Sequence, residues 1–254
     1  EDFYKACRAA SILGTLQAGY TNFEFLSSTS KKIFDREALL GVSVTGWMNN
    51  PDILFNKKIL EKGAKIVKEV NKEVAEIIGI NAAARTTCVK PSGNASVLLQ
   101  TASGIHAEHS GMYIRNVQMN KESEITQAII KSNPYMVEES VWSAGGTDVV
   151  VSFPILPQKG SIFKDDLLGI THLEKVKLVQ QHWVNAGTNE DLCADKGIRH
   201  NVSNTIIVDD WDNVEKYVYE NRDAFAGISF LAMTGDKDYN QAPNTGVIDS
   251  KTMV

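Results

Sequence analysis

The segment best suited to bind a ligand is the loop at residues 90–96, Lys-Pro-Ser-Gly-Asn-Ala-Ser. It follows a candidate strand and precedes an apolar run at residues 97–99 that could begin a helix. At such a junction backbone N–H groups can face an anion, and the helix N-terminus adds partial positive charge. Ser92 and Ser96 could also donate hydroxyl hydrogen bonds to phosphate oxygens. The alternative is a turn in which Ser or Asn caps the helix. No Gly-Lys-Ser/Thr follows, so the loop is not a Walker A motif.

A second group of polar residues, His106, Glu108 and His109, could suggest a metal site. Catalytic zinc on a helix binds His side chains at positions i and i+4, with a third ligand nearby. The two histidines here are spaced i and i+3, and Gly104 and Gly111 flank them, which favours a loop. We therefore predict no metal ligand in this segment.

The three cysteines, Cys7, Cys88 and Cys193, are far apart in sequence, so neither a redox pair nor a disulfide framework is indicated. Cys7 lies on the apolar face of a predicted helix and Cys88 in a predicted strand, which is typical of core residues. Cys193 stands two residues before Asp195 at a predicted helix end, and we expect a structural role for it. Isolated thiols indicate a reducing cytoplasm.

Two further segments combine aromatic and charged residues in what look like loops, Tyr113-Ile114-Arg115 and residues 235–239. Either segment could line a cleft, and a solvated loop would explain each of them equally well.

The elements that must position these segments alternate between helices and strands. Helical patterns occupy residues 3–18, 50–78, 121–131, 134–142, 173–186 and 212–221, and Gly79 is the expected C-cap of the second. Strand patterns occupy residues 41–46, 85–89, 147–153, 202–208 and 227–231. Continuous apolar strands separated by helices favour a parallel sheet covered on its faces, either open or part of a barrel.

The bulk properties narrow the function classes. The 254 residues suffice for one large domain or two modest ones. The net charge is −5 and the basic residues are dispersed, so a nucleic-acid partner is not expected. No apolar run approaches the roughly 20 residues that span a membrane, and no signal-peptide pattern is present. The chain starts at Glu1 without Met and runs straight into a helical pattern, so we expect a fragment or one half of a split polypeptide.

Eight short strings, taken in order, resemble one family. They occupy residues 6–10 with 14–20, then 41–46, 90–96, 103–106, 113–115, 200–206, 225–231 and 239–243. Their order and spacing are similar to the C-terminal part of the catalytic barrel in adenosylcobalamin-dependent (class II) ribonucleoside-triphosphate reductases. The similarity runs from about Phe3 to Pro243, which is nearly the whole chain.

The resemblance implies a fold and a site. The fold would be a ten-stranded α/β barrel made of two five-stranded parallel halves, with residues 1–254 forming the C-terminal half of a single barrel domain. A Pro-Ser-Gly-Thr-type loop binds the substrate phosphates in this family. That role carries over to Pro91, Ser92, Gly93, Asn94, Ala95 and Ser96. Asn94 stands where the family usually has Thr, and its side-chain amide can still donate a hydrogen bond.

The resemblance also implies a reaction, the replacement of the ribose 2′-hydroxyl by hydrogen. In this family a thiyl radical on a finger-loop cysteine abstracts the 3′-hydrogen, a nearby Glu acts as base, and two further cysteines supply electrons. The finger loop carries a Cys-x-Glu pattern. None of the three cysteines here has Glu two residues on, so we expect that loop shortly before Phe3 and assign no catalytic residue to this chain.

The implied cofactor is adenosylcobalamin, which supplies the 5′-deoxyadenosyl radical, although no Asp-x-His-x-x-Gly cobalamin motif occurs. The implied partners are a ribonucleotide substrate, expected to be a triphosphate, a thioredoxin-type reductant, and the remaining part of the reductase with its finger loop.

Two alternatives stay open at this point. A diiron-type reductase large subunit would relay its radical through tyrosines, and no adjacent Tyr-Tyr pair occurs here. A non-catalytic nucleotide-binding module could have kept the half barrel.

Overall fold

The computed structural model describes residues 1–233, 239 and 241–246, and it combines helices with two kinds of sheet. The helices are α1 (Asp2–Ala18), α2 (Ser28–Glu37), α3 (Pro51–Leu54), α4 (Lys57–Ile78), α5 (Asn94–Leu98), α6 (Glu124–Ser132), α7 (Gly169–Val179) and α8 (Trp211–Glu220). The strands are β1 (Val42–Ser43), β2 (Thr87–Cys88), β3 (Tyr113–Asn120), β4 (Val137–Glu139), β5 (Asp148–Ile155), β6 (Ile206–Val208), β7 (Phe230–Ala232) and β8 (Asn244–Gly246).

Parallel strands form one layer of the molecule. β1 pairs with β2, and β6 pairs with β7, both in parallel register. A parallel bridge between Val89 and Val202 joins the two pairs, with a hydrogen bond of 2.9 Å from the Ser203 amide to the Val89 carbonyl. The segments therefore follow one another in the order β1, β2, β6, β7. This confirms the parallel arrangement predicted for these strand patterns.

A separate antiparallel sheet has the order β4-β5-β3-β8. β3 and β5 pair along eight residues each, from Tyr113 opposite Ile155 to Asn120 opposite Asp148. The strand predicted at 147–153 is therefore present, but it does not join the parallel sheet. The interpretation of 113–115 as a loop was wrong, because these residues begin β3. An apolar run shows that a strand is buried, but it does not show the direction of the partner strand.

The helix predicted over 134–142 was also wrong. Pro134–Met136 forms a single 3₁₀ turn, and β4 follows it directly. Val137 pairs with Val151 at the edge of the antiparallel sheet. These ladder hydrogen bonds form with residues distant in sequence, so the local helical pattern did not reveal them.

The predicted helix over 50–78 is divided in two. α3 ends at Leu54, and Asn56 caps α4 by accepting hydrogen bonds from the Lys58 and Ile59 amides. Gly79 is the predicted C-cap of α4, with a left-handed φ of 75° and its amide bonded to the Ala75 carbonyl.

The hydrophobic core lies between α1, α4, α7 and the parallel strands. Its fully buried residues include Trp47, Leu60, Val67, Val89, Leu173 and Trp183. α7 continues as a π-helical segment, Gln180–Asn185, which brings Trp183 against β2. The Trp183 indole N–H donates to the Cys88 carbonyl at 3.1 Å, and the Thr87 hydroxyl donates to the Trp183 carbonyl at 2.7 Å.

Cys7 lies in this core at 3% exposure, as predicted. Burial raises the pKa of the Cys7 thiol to about 12, so the thiol stays protonated at neutral pH. Cys88 is half-buried at the end of β2, and burial also raises the pKa of its thiol. Within the described part of the chain, no helix has the length and apolar character needed to cross a membrane.

The buried His172 makes the stability of the fold depend on pH. Its Nε2 donates to the Ile105 carbonyl at 3.0 Å, and burial, followed by the nearby His106, lowers its pKa from 6.5 to about 4. Between these two values the unfolded state binds a proton that the folded state does not. The free energy of unfolding should therefore fall as pH decreases from 6.5 to about 4, by at most about 1.4 kcal/mol per pH unit for this group.

His172→Gln tests this expectation, because the Gln amide can donate to the same carbonyl and does not titrate. Urea unfolding across this pH range should show a shallower pH dependence for the variant than for the parent chain. Parallel curves for the two proteins would contradict the assignment.

Candidate phosphate-binding site

The segment 90–96 follows β2, as predicted, but its last three residues already belong to α5, which begins at Asn94 rather than at residue 97. Gly93 is the N-cap of α5 with φ 48° and ψ −111°, a backbone conformation that L side chains rarely adopt. No side chain caps the helix, so the simple capping alternative does not describe this loop. The backbone N–H groups of Gly93 and Asn94 have no hydrogen-bond acceptor within the described residues. Both residues are exposed, so these two donors can reach a ligand.

The two serines predicted as phosphate ligands have different surroundings. Ser96 is buried, and its hydroxyl donates to the Gly93 carbonyl at 2.9 Å, which stabilises the turn. The Ser92 hydroxyl is 2.9 Å from Thr45 Oγ1, and the Ser92 amide donates to Ser103 Oγ at 3.0 Å. Ser96 therefore supports the loop from inside, while Ser92 ties it to two neighbouring segments.

Thr45, just after β1, contacts the loop through Ser92, and the sequence alone did not single it out. Its hydroxyl donates to the Ala102 carbonyl at 3.0 Å and accepts from the Gly104 amide at 2.9 Å. Gly104 has φ +54°, and a Cβ there would lie 2.9 Å from the Lys90 carbonyl oxygen. Thr45 thus holds the segment 102–104 close to the start of the loop at Lys90. Its place in the string at residues 41–46 was the only signal in the sequence.

Behind the loop lies a buried polar network centred on Asn49. Its side-chain amide donates to Glu108 Oε1 at 2.8 Å and to Ser161 Oγ at 3.1 Å, and its oxygen accepts from the Ala102 amide at 2.8 Å. The Tyr113 hydroxyl donates to Glu108 Oε2 at 3.0 Å. Burial, followed by the adjacent Glu108 charge, raises the pKa of Tyr113 to about 12, so the phenol remains a donor at neutral pH.

Both ring nitrogens of His106 are hydrogen-bonded to backbone groups and are not directed at a metal site. Its Nδ1 lies 3.0 Å from the Ser103 carbonyl, and its Nε2 accepts from the Thr205 amide at 3.1 Å. This pattern corresponds to a neutral ring with the proton on Nδ1. Among the residues that the structure describes, no group of three or more His, Cys, Asp or Glu side chains could hold a metal ion.

The remaining candidates are spread over the molecule. The Cys193 thiol contacts the Ala84 and Asn189 carbonyls at 3.7 and 3.5 Å, consistent with the structural role that we expected. Residues 235–238 lie outside the described residues. Tyr239 packs edge-on against Trp142 with a centroid distance of 5.9 Å.

Comparison with known proteins places this geometry in context. No family model matches the chain. A probable adenosylcobalamin-dependent ribonucleoside-triphosphate reductase of Dictyostelium discoideum is 27% identical over 191 residues, which is 73% of this chain and 24% of the relative. An adenosylcobalamin-dependent ribonucleoside-triphosphate reductase of Euglena gracilis is 25% identical over 159 residues, which is 61% of this chain and 22% of the relative. The chain therefore spans about a quarter of the length of the curated relatives it matches.

A solved structure shows the fold. The crystal structure of a B12-dependent (class II) ribonucleotide reductase matches with a TM-score of 0.78 at 17% identity, covering 97% of this chain and 36% of that one. The fold is therefore that of part of a class II ribonucleotide reductase, and the predicted fold class is confirmed. In sequence, the chain is related to the adenosylcobalamin-dependent ribonucleoside-triphosphate reductases, as the resemblance implied.

The role of Thr45 can be tested by removing its hydroxyl. Thr45→Val keeps the shape of the side chain but leaves the Gly104 amide and the Ala102 carbonyl without this partner. We expect the free energy of unfolding, measured in urea, to decrease by about 1–3 kcal/mol. Thr45→Ser is the matched control, because it retains the hydroxyl. Equal stability of the Val and Ser variants would contradict the role assigned to Thr45.

Proposed function

We propose that this chain is the part of an adenosylcobalamin-dependent ribonucleotide reductase that binds the substrate phosphates. Residues 1–254 would form one fragment of a single catalytic barrel, its C-terminal half. The observation that carries the proposal is the loop after β2, where the exposed amides of Gly93 and Asn94 have no acceptor within the described residues. The similarity to reductases of this type supports the same assignment.

In the proposed site the substrate phosphates lie against residues 91–96, Pro-Ser-Gly-Asn-Ala-Ser. Backbone N–H groups of Gly93 and Asn94 donate to phosphate oxygens, and the Asn94 side chain provides a further donor where the family usually has Thr. Ser96 holds the turn through the Gly93 carbonyl. Oriented amides cost no rearrangement when the anion binds, so they suit a site whose task is to position the ribose.

We assign the radical chemistry to the remaining part of the reductase, which would carry the Cys-x-Glu finger loop. The three cysteines of this chain do not suit that role. Burial raises the pKa of Cys7 to about 12 and also raises the pKa of Cys88, while Cys193 contacts two backbone carbonyls. None of the three has Glu two residues on. This chain alone should therefore not reduce nucleotides.

Adenosylcobalamin is the proposed cofactor of the whole enzyme, and the names of the relatives favour this type over a diiron-dependent reductase. When bound, it supplies the radical that initiates the reaction. We assign no residue of this chain to the cofactor. We therefore attribute no reaction step at the cofactor to residues of this chain.

The proposed partners are a ribonucleotide, the rest of the reductase and a thioredoxin-type reductant. A cytoplasmic location is our proposal from the three free cysteines. The reaction would supply deoxyribonucleotides for DNA synthesis.

Gly93→Ala tests the loop, because an L side chain disfavours φ 48° with ψ −111° and would redirect the two amides. We expect the dissociation constant for a ribonucleoside diphosphate or triphosphate, measured by calorimetry, to rise at least about tenfold, or about 1.4 kcal/mol. Gly146→Ala is the matched control, because Gly146 also has a positive φ, 61°, and an added Cβ would contact nothing within 4 Å. Equal affinities of the two variants would contradict the assignment.

An assay of deoxyribonucleotide formation distinguishes a part of a reductase from a non-catalytic nucleotide-binding module. This chain should form deoxyribonucleotides only when it is mixed with a reductase part that carries the Cys-x-Glu loop, together with adenosylcobalamin and a dithiol. A binding module would bind nucleotide without restoring turnover on mixing. Turnover by this chain alone would contradict the absence of a radical cysteine.

A further inference from the structure

A small cavity adjoins the proposed phosphate loop and has a different chemical character. Its volume is about 290 Å³, just below the usual range for ligand pockets. This volume suits a phosphate group rather than a whole nucleotide. Its lining includes Ser96 of the loop together with Thr101, Ser103, His109, Arg115 and Lys164.

The cavity and the loop are directly connected. Ser96 belongs to both, and the Ser92 amide of the loop donates to Ser103 Oγ at 3.0 Å. The loop and the cavity are therefore adjacent, and an extended phosphate chain could contact both.

Two cationic side chains, those of Arg115 and Lys164, are part of the lining. Arg115 lies on β3 opposite Asn244 of β8, and both residues line the cavity. The Arg115 guanidinium donates to the Tyr113 hydroxyl at 3.0 Å, which leaves other N–H groups of its planar fork for an anion. Lys164 lines the same space, in the 3₁₀ turn Lys164–Asp166.

The acidic residue in the lining, Glu108, is hydrogen-bonded to neighbouring side chains. Both oxygens of Glu108 accept hydrogen bonds, from the Asn49 amide and the Tyr113 hydroxyl, and Glu108 is 4% exposed. Its carboxylate is thus turned into the protein network. The buried hydroxyl of Thr101, also in the lining, has no partner within the described residues.

A metal ion fits this cavity less well than an anion. His106 contributes to the lining, but its two ring nitrogens already face the Ser103 carbonyl and the Thr205 amide. No cluster of three metal-binding side chains occurs in the described part of the chain. The guanidinium and the ammonium would both repel a cation.

We propose that this cavity is a second phosphate subsite, in which Arg115 and Lys164 bind the terminal phosphate of a ribonucleoside triphosphate held by the loop. The proposal rests on the proposed function, and it makes these two residues determinants of the preference for triphosphate over diphosphate. The loop amides bind the inner phosphates in either nucleotide. The cavity adds charge-assisted hydrogen bonds only when a third phosphate is present.

The test compares nucleotide binding by the chain and by Arg115→Gln with Lys164→Gln. Calorimetry at constant ionic strength should measure the dissociation constants of one ribonucleoside as its triphosphate and its diphosphate. We expect the double variant to bind the triphosphate at least about tenfold more weakly, with less than about a twofold change for the diphosphate. Lys159→Gln, in an exposed segment outside the cavity, is the control for charge loss.

Two further variants separate a binding role from a structural one. Arg115→Lys should retain most of the triphosphate preference, because it keeps the positive charge, whereas Arg115→Gln should lose it. Circular dichroism melting of each variant establishes that the fold is retained. An equal loss for both nucleotides, or no loss for either, would overturn the second subsite.

The two proposals fail in different ways. If Gly93→Ala leaves the dissociation constant of the diphosphate unchanged, the loop is not the phosphate site. Diphosphate binding that depends on Gly93, with no dependence of triphosphate binding on Arg115 and Lys164, would contradict the cavity and leave the loop standing. No measurable binding of either nucleotide by the parent chain would overturn both.

Discussion

The candidate site depends on one buried side chain, that of Asn49. Its amide group joins segments that are 53, 59 and 112 residues away along the chain, through Ala102, Glu108 and Ser161. Asn49 is 3% exposed, so a loss of these partners would cost the desolvation of its buried amide. The network therefore fixes the position of the segment around Ala102, which lies behind the phosphate loop. Thr45 connects this segment to the loop, because its hydroxyl is hydrogen-bonded to the Ala102 carbonyl and to the Ser92 hydroxyl.

This constraint explains why the loop can leave the backbone N–H groups of Gly93 and Asn94 without an acceptor among the described residues. An exposed turn with a left-handed glycine and a short helix would not hold one conformation by itself, because α5 has only five residues. The hydroxyls of Ser103 and Thr45 are hydrogen-bonded to Ser92, and the Ser96 hydroxyl donates to the Gly93 carbonyl within the turn. The amides of Gly93 and Asn94 are left to a ligand because other groups stabilise the turn.

The sequence could predict the features that depend on neighbours along the chain. It placed α4 and its C-cap Gly79, the parallel strands, and the loop at 90–96, and its resemblance gave the fold class. It could not predict the antiparallel sheet, because β5 and a parallel core strand share the same apolar pattern. It also missed Asn49 and Thr45, whose importance comes from partners more than 40 residues distant. Such residues have no local signature.

Long-range electrostatics cannot explain how this chain would bind a polyanion. Its net charge is −5, so its overall field repels a nucleotide triphosphate. Physiological salt screens that repulsion beyond about 8 Å, and contacts made at hydrogen-bond distance then decide the affinity. The loop supplies neutral donors at this range, and the adjoining cavity supplies the cations Arg115 and Lys164. A site built in this way should discriminate by the number and position of phosphates rather than by total negative charge, because each phosphate contacts its own set of donors.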